Sequence, residues 1–139
     1  MIFEEKIISS FDGTELFCRI KESGAKRWLI ATHGIGEHSG RHLYISENLS
    51  SHYNICLYDL RGHGKSEGRK GYVKSFSEYK KDLWKIIEFL KQEYRLSLVS
   101  LFGHSMGALI VSDFIQTYGD SLPNLEKVFL SAPPVSPGG

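Results

Sequence analysis

The stretch Leu98-Val99-Ser100-Leu101-Phe102-Gly103-His104-Ser105-Met106-Gly107-Ala108-Leu109-Ile110-Val111 decides how the rest of the chain is read. It sets Gly-x-Ser-x-Gly between an apolar run of strand length and an apolar run that continues as a helix, the sequence form of a nucleophile elbow. Gly103 and Gly107 leave room for a turn too tight for a Cβ on either side. Such a turn would lift the Ser105 hydroxyl clear at the carboxyl end of the strand, with a helix N-terminus behind it. Ser105 is the candidate nucleophile.

A serine nucleophile needs a histidine base and, as a rule, a carboxylate to orient it, in the chain order Ser, then Asp or Glu, then His. All 6 histidines, His33, His38, His42, His52, His63 and His104, come before Ser105. Asp113, Asp120 and Glu126 follow it, but Asp113 falls two turns into the helix that Ser105 opens, and the other two flank the link to the next strand. None is expected at the catalytic end of a later strand. The sequence reads as the front part of an enzyme.

With 139 residues, 41% hydrophobic and 24% charged, the chain is sized for one core and shows no signature of disorder. A net charge of +1 and no basic block beyond Arg69-Lys70 and Lys80-Lys81 leave no nucleic-acid footprint, so the charges read as solvated faces. The start, Met1 to Lys6, lacks a basic region followed by a long apolar one. No later segment approaches the roughly 18 apolar residues that span a bilayer. A cytoplasmic, unanchored protein is the expectation. Cys18 and Cys56 fall within expected strands, where reduced thiols behave as small hydrophobes. No histidine or cysteine spacing fits a metal site, and no cofactor is expected.

Outward from the central stretch, strands and helices alternate. Glu4 to Ser9 and Glu15 to Ile20 around Asp12-Gly13 predict a β-hairpin, with Leu16, Cys18 and Ile20 on one face. Trp28 to Thr32 is apolar without alternation, as a strand buried on both faces should be. It runs into His33-Gly34-Ile35-Gly36, and a helix is expected from about Gly40 to Ser50. Tyr53 to Tyr58 is the next strand, followed by the glycine-rich Asp59 to Gly68. Ser75-x-x-Glu78 has the form of a capping box, and Phe76, Tyr79, Leu83, Ile86, Ile87, Leu90 and Tyr94 then recur at helical spacing. Leu96 to Phe102, Ser105 to Tyr118 with Gly119 at its end, and Lys127 to Ser131 complete the series. A mostly parallel sheet with helices on both faces is implied, entered through the hairpin.

Functional loops of a parallel sheet follow the strand carboxyl ends. Acyl transfer needs donors aimed at the developing oxyanion, each contributing roughly 3 to 4 kcal/mol, and backbone N–H groups serve without reorganising. The expected donors are Met106, next to the nucleophile, and Ile35 in the loop after the third strand, with Gly34 and Gly36 around it. His33, His38 and His63 are expected to brace loops, His104 to be a packed neighbour, and Asp59 with Arg61 to form an internal pair.

His33-Gly34-Ile35-Gly36-Glu37-His38-Ser39-Gly40-Arg41, Asp59-Leu60-Arg61-Gly62-His63-Gly64-Lys65-Ser66 and Gly103-His104-Ser105-Met106-Gly107 resemble, in order, the motifs of α/β-hydrolases of the monoacylglycerol lipase and lysophospholipase type, also grouped with serine aminopeptidases. Gly71-Tyr72-Val73, Ser75-Phe76, Tyr79 and Asp82-Leu83 are similar to the family's next helix. The resemblance implies the α/β-hydrolase fold, Ser105 as nucleophile, Ile35 and Met106 as oxyanion donors, and a small lipid or ester as substrate. It also implies that residues 1–139 are the N-terminal part of a single domain, with lid, triad acid and catalytic histidine supplied beyond Gly139. Val128 to Leu130 would then be an interior strand left as an apolar edge. A complementary C-terminal chain, or self-association through 127–131, is expected to cover it.

Two other readings compete. Gly34-x-Gly36 with Gly40 before a helix, and Asp59 at the end of the next strand, superficially fit a dinucleotide-binding pattern. Alternatively the chain is a hydrolase-like binding module without catalysis, because fold alone does not establish activity.

Overall fold

The computed structural model describes residues 3–34, 38–49, 52–70 and 73–131. In chain order the elements are β1 (Glu4–Ser9), β2 (Glu15–Lys21), β3 (Arg27–Thr32), a 3-10 turn (Ser39–His42), α1 (Tyr44–Leu49), β4 (Asn54–Tyr58), α2 (Ser77–Tyr94), β5 (Leu98–His104), α3 (Met106–Tyr118), a second 3-10 turn (Gly119–Ser121) and β6 (Leu125–Ser131). The strands form one six-stranded sheet in the order β1-β2-β4-β3-β5-β6. The hairpin strand β2 pairs antiparallel with β4, and from β4 onward every pairing is parallel.

The uninterrupted apolar runs of β3 and β4 are explained by which side each residue serves. Trp28, Ile30, Cys56 and Tyr58 join the larger core beneath α2 and α3, and Leu29, Ala31, Ile55 and Leu57 join a smaller one with Ile45 of α1. Both faces are thus apolar, which is why alternation is missing. On β2 the expected alternation appears, with Leu16, Cys18 and Ile20 all in the larger core. Tyr79, Leu83, Ile86, Ile87 and Leu90 of α2 seal that core as the helical spacing predicts.

Several local expectations are corrected. The helix expected from Gly40 to Ser50 is a 3-10 turn followed by the short α1. Ser75 and Glu78 form only half of a capping box: Ser75 Oγ accepts from the Ser77 amide at 3.3 Å. The Glu78 carboxylate instead accepts from Arg61. A buried guanidinium binds a carboxylate more strongly than an exposed helix-end amide does. Gly119 ends α3 as expected, with a helical backbone (φ −55) that opens the second 3-10 turn. The strand at β6 is an edge among the described residues, and Leu130 is 54% exposed there.

Candidate active site

Ser105 joins β5 to α3 with φ 59 and ψ −121, a left-handed backbone on a residue that carries a Cβ. Such a conformation costs on the order of 1–3 kcal/mol and persists only where its surroundings enforce it. The Ser105 amide donates to the Ser131 carbonyl at 2.7 Å, and the Ser105 carbonyl accepts from the Ala108 amide at 2.9 Å. A Cβ on Gly103 would lie 2.4 Å from the Gly107 carbonyl oxygen, and one on Gly107 would lie 2.1 Å from the Thr32 carbonyl oxygen. Both glycines therefore serve close approach: Gly103 lets α3 fold back on β5, and Gly107 lets α3 sit on the end of β3.

Ser105 and Met106 are half-buried, and among the described residues nothing hydrogen-bonds the Ser105 hydroxyl. The Met106 amide is the first of α3 and has no acceptor within the helix. Gly34 lies at the end of β3, on the same rim; Ile35 and Gly36 fall outside the described residues.

The histidines around this rim brace it. His33 is buried; its Nε2 accepts from the Leu60 amide at 2.9 Å, so Nδ1 carries the proton that it donates to the Gly34 carbonyl at 2.7 Å. Burial holds its pKa down to about 4, against the opposing pull of the Gly34 bond. The His38 ring accepts from the Gly40 amide, His63 meets the Arg61 carbonyl at 3.1 Å, and His104 meets Ser131 Oγ at 3.2 Å. None of these rings is hydrogen-bonded to Ser105.

The expected Asp59–Arg61 pair is not formed. Asp59, 1% exposed, accepts from the Ser39 amide at 2.6 Å and the Lys65 amide at 2.9 Å, and so pins the loop after β3 to the loop after β4. Its carboxylate leaves no space for a Cβ at Gly64, where φ is +50. Buried between the two loops and held by their amides, Asp59 does not face a ribose, which counts against the dinucleotide reading. Arg61 turns the other way. It makes a two-point bond to Asp82 at 2.7 and 2.8 Å, reaches Asp12 at 2.9 Å and also holds Glu78. These bonds, Asp82 first, push its pKa above the ordinary arginine value, and the same guanidinium holds the Asp12 carboxyl well below the usual carboxylate range. Asp82 is 0% exposed, and Ser10 Oγ donates to it. The sequence held a signal for this cluster: Asp82 occupies a position on the apolar stripe of α2, where an unpaired charge would be prohibitive.

Residues 23–138 match the family described as serine aminopeptidase, S33. The chain belongs to that family. This S33-family chain is 38% identical to the monoglyceride lipase of Rattus norvegicus over 102 residues, which are 71% of this chain and 34% of that protein. It is 30% identical to Phospholipase YtpA of Bacillus subtilis over 109 residues, 76% of this chain and 39% of that one. Among solved structures, a highly thermostable carboxyl esterase from Bacillus coagulans superposes with a TM-score of 0.77 at 26% identity, over 94% of this chain and 44% of that one. The fold is that of the α/β-hydrolases, and the chain spans well under half the length of each of these relatives.

Among the described residues no group of His, Cys, Asp and Glu is arranged to hold a metal ion, and no helix is long and apolar enough to cross a membrane.

Proposed function

We propose that this chain is the nucleophile-bearing part of a serine hydrolase of carboxylic esters, with a monoacylglycerol or lysophospholipid as substrate. The observation that carries the reading is the backbone of Ser105, held at φ 59 between two glycines that admit no side chain. In this mechanism Ser105 Oγ attacks the ester carbonyl while a histidine from a later part of the polypeptide takes its proton. The amides of Met106 and Ile35 receive the negative charge on the carbonyl oxygen. The histidine returns the proton to the departing alcohol, leaving an acyl-enzyme that water then hydrolyses. The names of the monoglyceride lipase and phospholipase relatives support the substrate class.

The same reading assigns the triad acid and histidine to a complementary C-terminal part. Two adjoining apolar surfaces favour such a partner. One is the exposed edge of β6. The other is an open cleft of about 320 Å³ between α1 and the sheet, lined by Leu29, Ile45, Tyr53, Phe102 and Phe129. The 139 residues alone are expected to turn over little ester, because a serine without a base stays protonated and weakly nucleophilic. A non-catalytic binding module is the second reading, favoured by the missing hydrogen bond at Ser105 Oγ among the described residues.

A fluorophosphonate probe applied to the complete polypeptide separates the two. Labelling that maps to the peptide containing Ser105, and disappears with ester turnover in Ser105→Ala, is the expected result. Label retained in Ser105→Ala refutes the assignment.

A further inference from the structure

Three neighbours hold the backbone of Ser105 in its left-handed form, a form that persists only where the surroundings enforce it. Within α3, the Ala108 amide donates to the Ser105 carbonyl at 2.9 Å. On β3, the Thr32 carbonyl oxygen would lie 2.1 Å from a Cβ on Gly107, so the first turn of α3 rests directly on that strand. The third support is Ser131, the last residue of β6, which stands in register opposite His104.

Ser131 grips two successive residues of the turn. Its carbonyl oxygen accepts from the Ser105 amide at 2.7 Å, and its Oγ is hydrogen-bonded to Nδ1 of His104 at 3.2 Å. The His104 ring leaves β5 on the same face as Phe102 and α1, since residues two apart on a strand share a face. There it meets the ring of His42 edge-on, with ring centres 5.7 Å apart. His42 is buried and packs edge-on against Phe102 at 6.3 Å. The imidazole of His104 is therefore fixed between a hydroxyl on the neighbouring strand and a buried ring. Helix α3 lies on the other face, in the core that α2 seals. The planar peptide joining His104 to Ser105 is thus held from both faces of the sheet. Among these supports only the Ser131–His104 bond is made between side chains, so it alone can be removed while the backbone bonds stay.

We propose that Ser131 is a positioning residue for Ser105, its hydroxyl fixing His104 and through it the angle at which the serine hydroxyl leaves the turn. The role rests on the reading of Ser105 as nucleophile and is indirect: Ser131 touches no reacting atom. A displacement of about 1 Å at a reacting atom can cost on the order of a hundredfold in rate, so one lost hydrogen bond beside the nucleophile registers in turnover.

Threonine and valine at position 131 have the same shape and differ in the hydroxyl, and both suit a strand. The test compares them in the complete polypeptide, by the rate of fluorophosphonate labelling and by p-nitrophenyl ester turnover. Ser131→Thr is expected to keep the parent's rates. Ser131→Val is expected to lower the labelling rate and kcat by about tenfold with KM unchanged, the sign of support felt in the transition state. His104→Phe, which keeps a ring and loses the bonding nitrogen, is expected to cost the same factor. The double variant should lose no more than either single one, as two ends of one contact do. Equal rates in Ser131→Thr and Ser131→Val overturn the proposal, as do losses that multiply in the double variant or a raised KM with kcat intact. If His104→Phe fails to fold, the comparison of threonine with valine decides alone. A parent polypeptide that takes no label at Ser105 overturns the reading of the nucleophile and the role of Ser131 together, whereas a labelled parent with equal threonine and valine variants removes only the role of Ser131.

Discussion

The two sides of the sheet are finished differently. At the hairpin side, Arg61 with Asp82, Asp12 and Glu78 closes the gap between turn, loop and α2. The outer strand β1 carries Glu4, Glu5 and Lys6, charges that discourage edge pairing. At the other side β6 ends the described sheet with Val128, Phe129 and Leu130 exposed, and Leu109 of α3 is 64% exposed. The candidate site spans the two. His33 and Asp59 fix its loops from the closed side, yet the backbone of Ser105 is anchored on Ser131 of the open strand. The half that positions the loops is closed by its own charges, and the half that holds the proposed nucleophile leaves apolar surface exposed.

The largest expected effect tests the closed side. Arg61→Met strands the fully buried Asp82 without its cation and is expected to destabilise the protein by about 3–5 kcal/mol in denaturant melts. Adding Asp82→Leu to that variant should recover part of the loss, since an apolar pair of similar volume often replaces a buried ion pair at little cost. An Arg61→Met protein as stable as the parent would mean that the cluster seals nothing.

A smaller effect on the same side depends on pH. His33 is held neutral with a folded-state pKa of about 4, below its unfolded value near 6.5. Between those values the unfolded chain binds the additional proton, so stability falls as pH drops from about 6.5 towards 4 and is retained above that window. The summed loss is at most about 3 kcal/mol. Melting temperatures across this range should fall less steeply for His33→Asn than for the parent, and equal slopes would remove His33 as the cause.

The smallest effect on stability is expected on the open side, together with the clearest effect on association. Leu130→Lys places a charge on the β6 edge at a side chain 54% exposed, where little packing is lost, so the melt should shift by less than about 0.5 kcal/mol. If β6 is a pairing edge, the 139-residue chain associates in sizing experiments at high concentration and Leu130→Lys runs smaller. A parent chain that stays monomeric and melts cooperatively would show that the two sides differ in composition but not in completeness.

The sequence by itself determined the order of strands and helices, the two-faced burial of β3 and β4, and the place of Ser105 between Gly103 and Gly107. Each of these follows from local steric and hydrophobic rules: apolar runs mark strands covered on both sides, and a serine between two glycines marks a turn without room for side chains. Only the tertiary structure decided the partners of the charges. Asp12 and Arg61 lie 49 residues apart, and Ser10 and Asp82 lie 72 apart. Their meeting depends on the register of β2 on β4 and on where α2 crosses the sheet. The same long-range placement moved Glu78 from a cap to a guanidinium and turned Asp59 towards backbone amides. Charge pairing acts through space at a few ångströms, and a one-dimensional pattern carries that distance only where the chain folds back on itself locally.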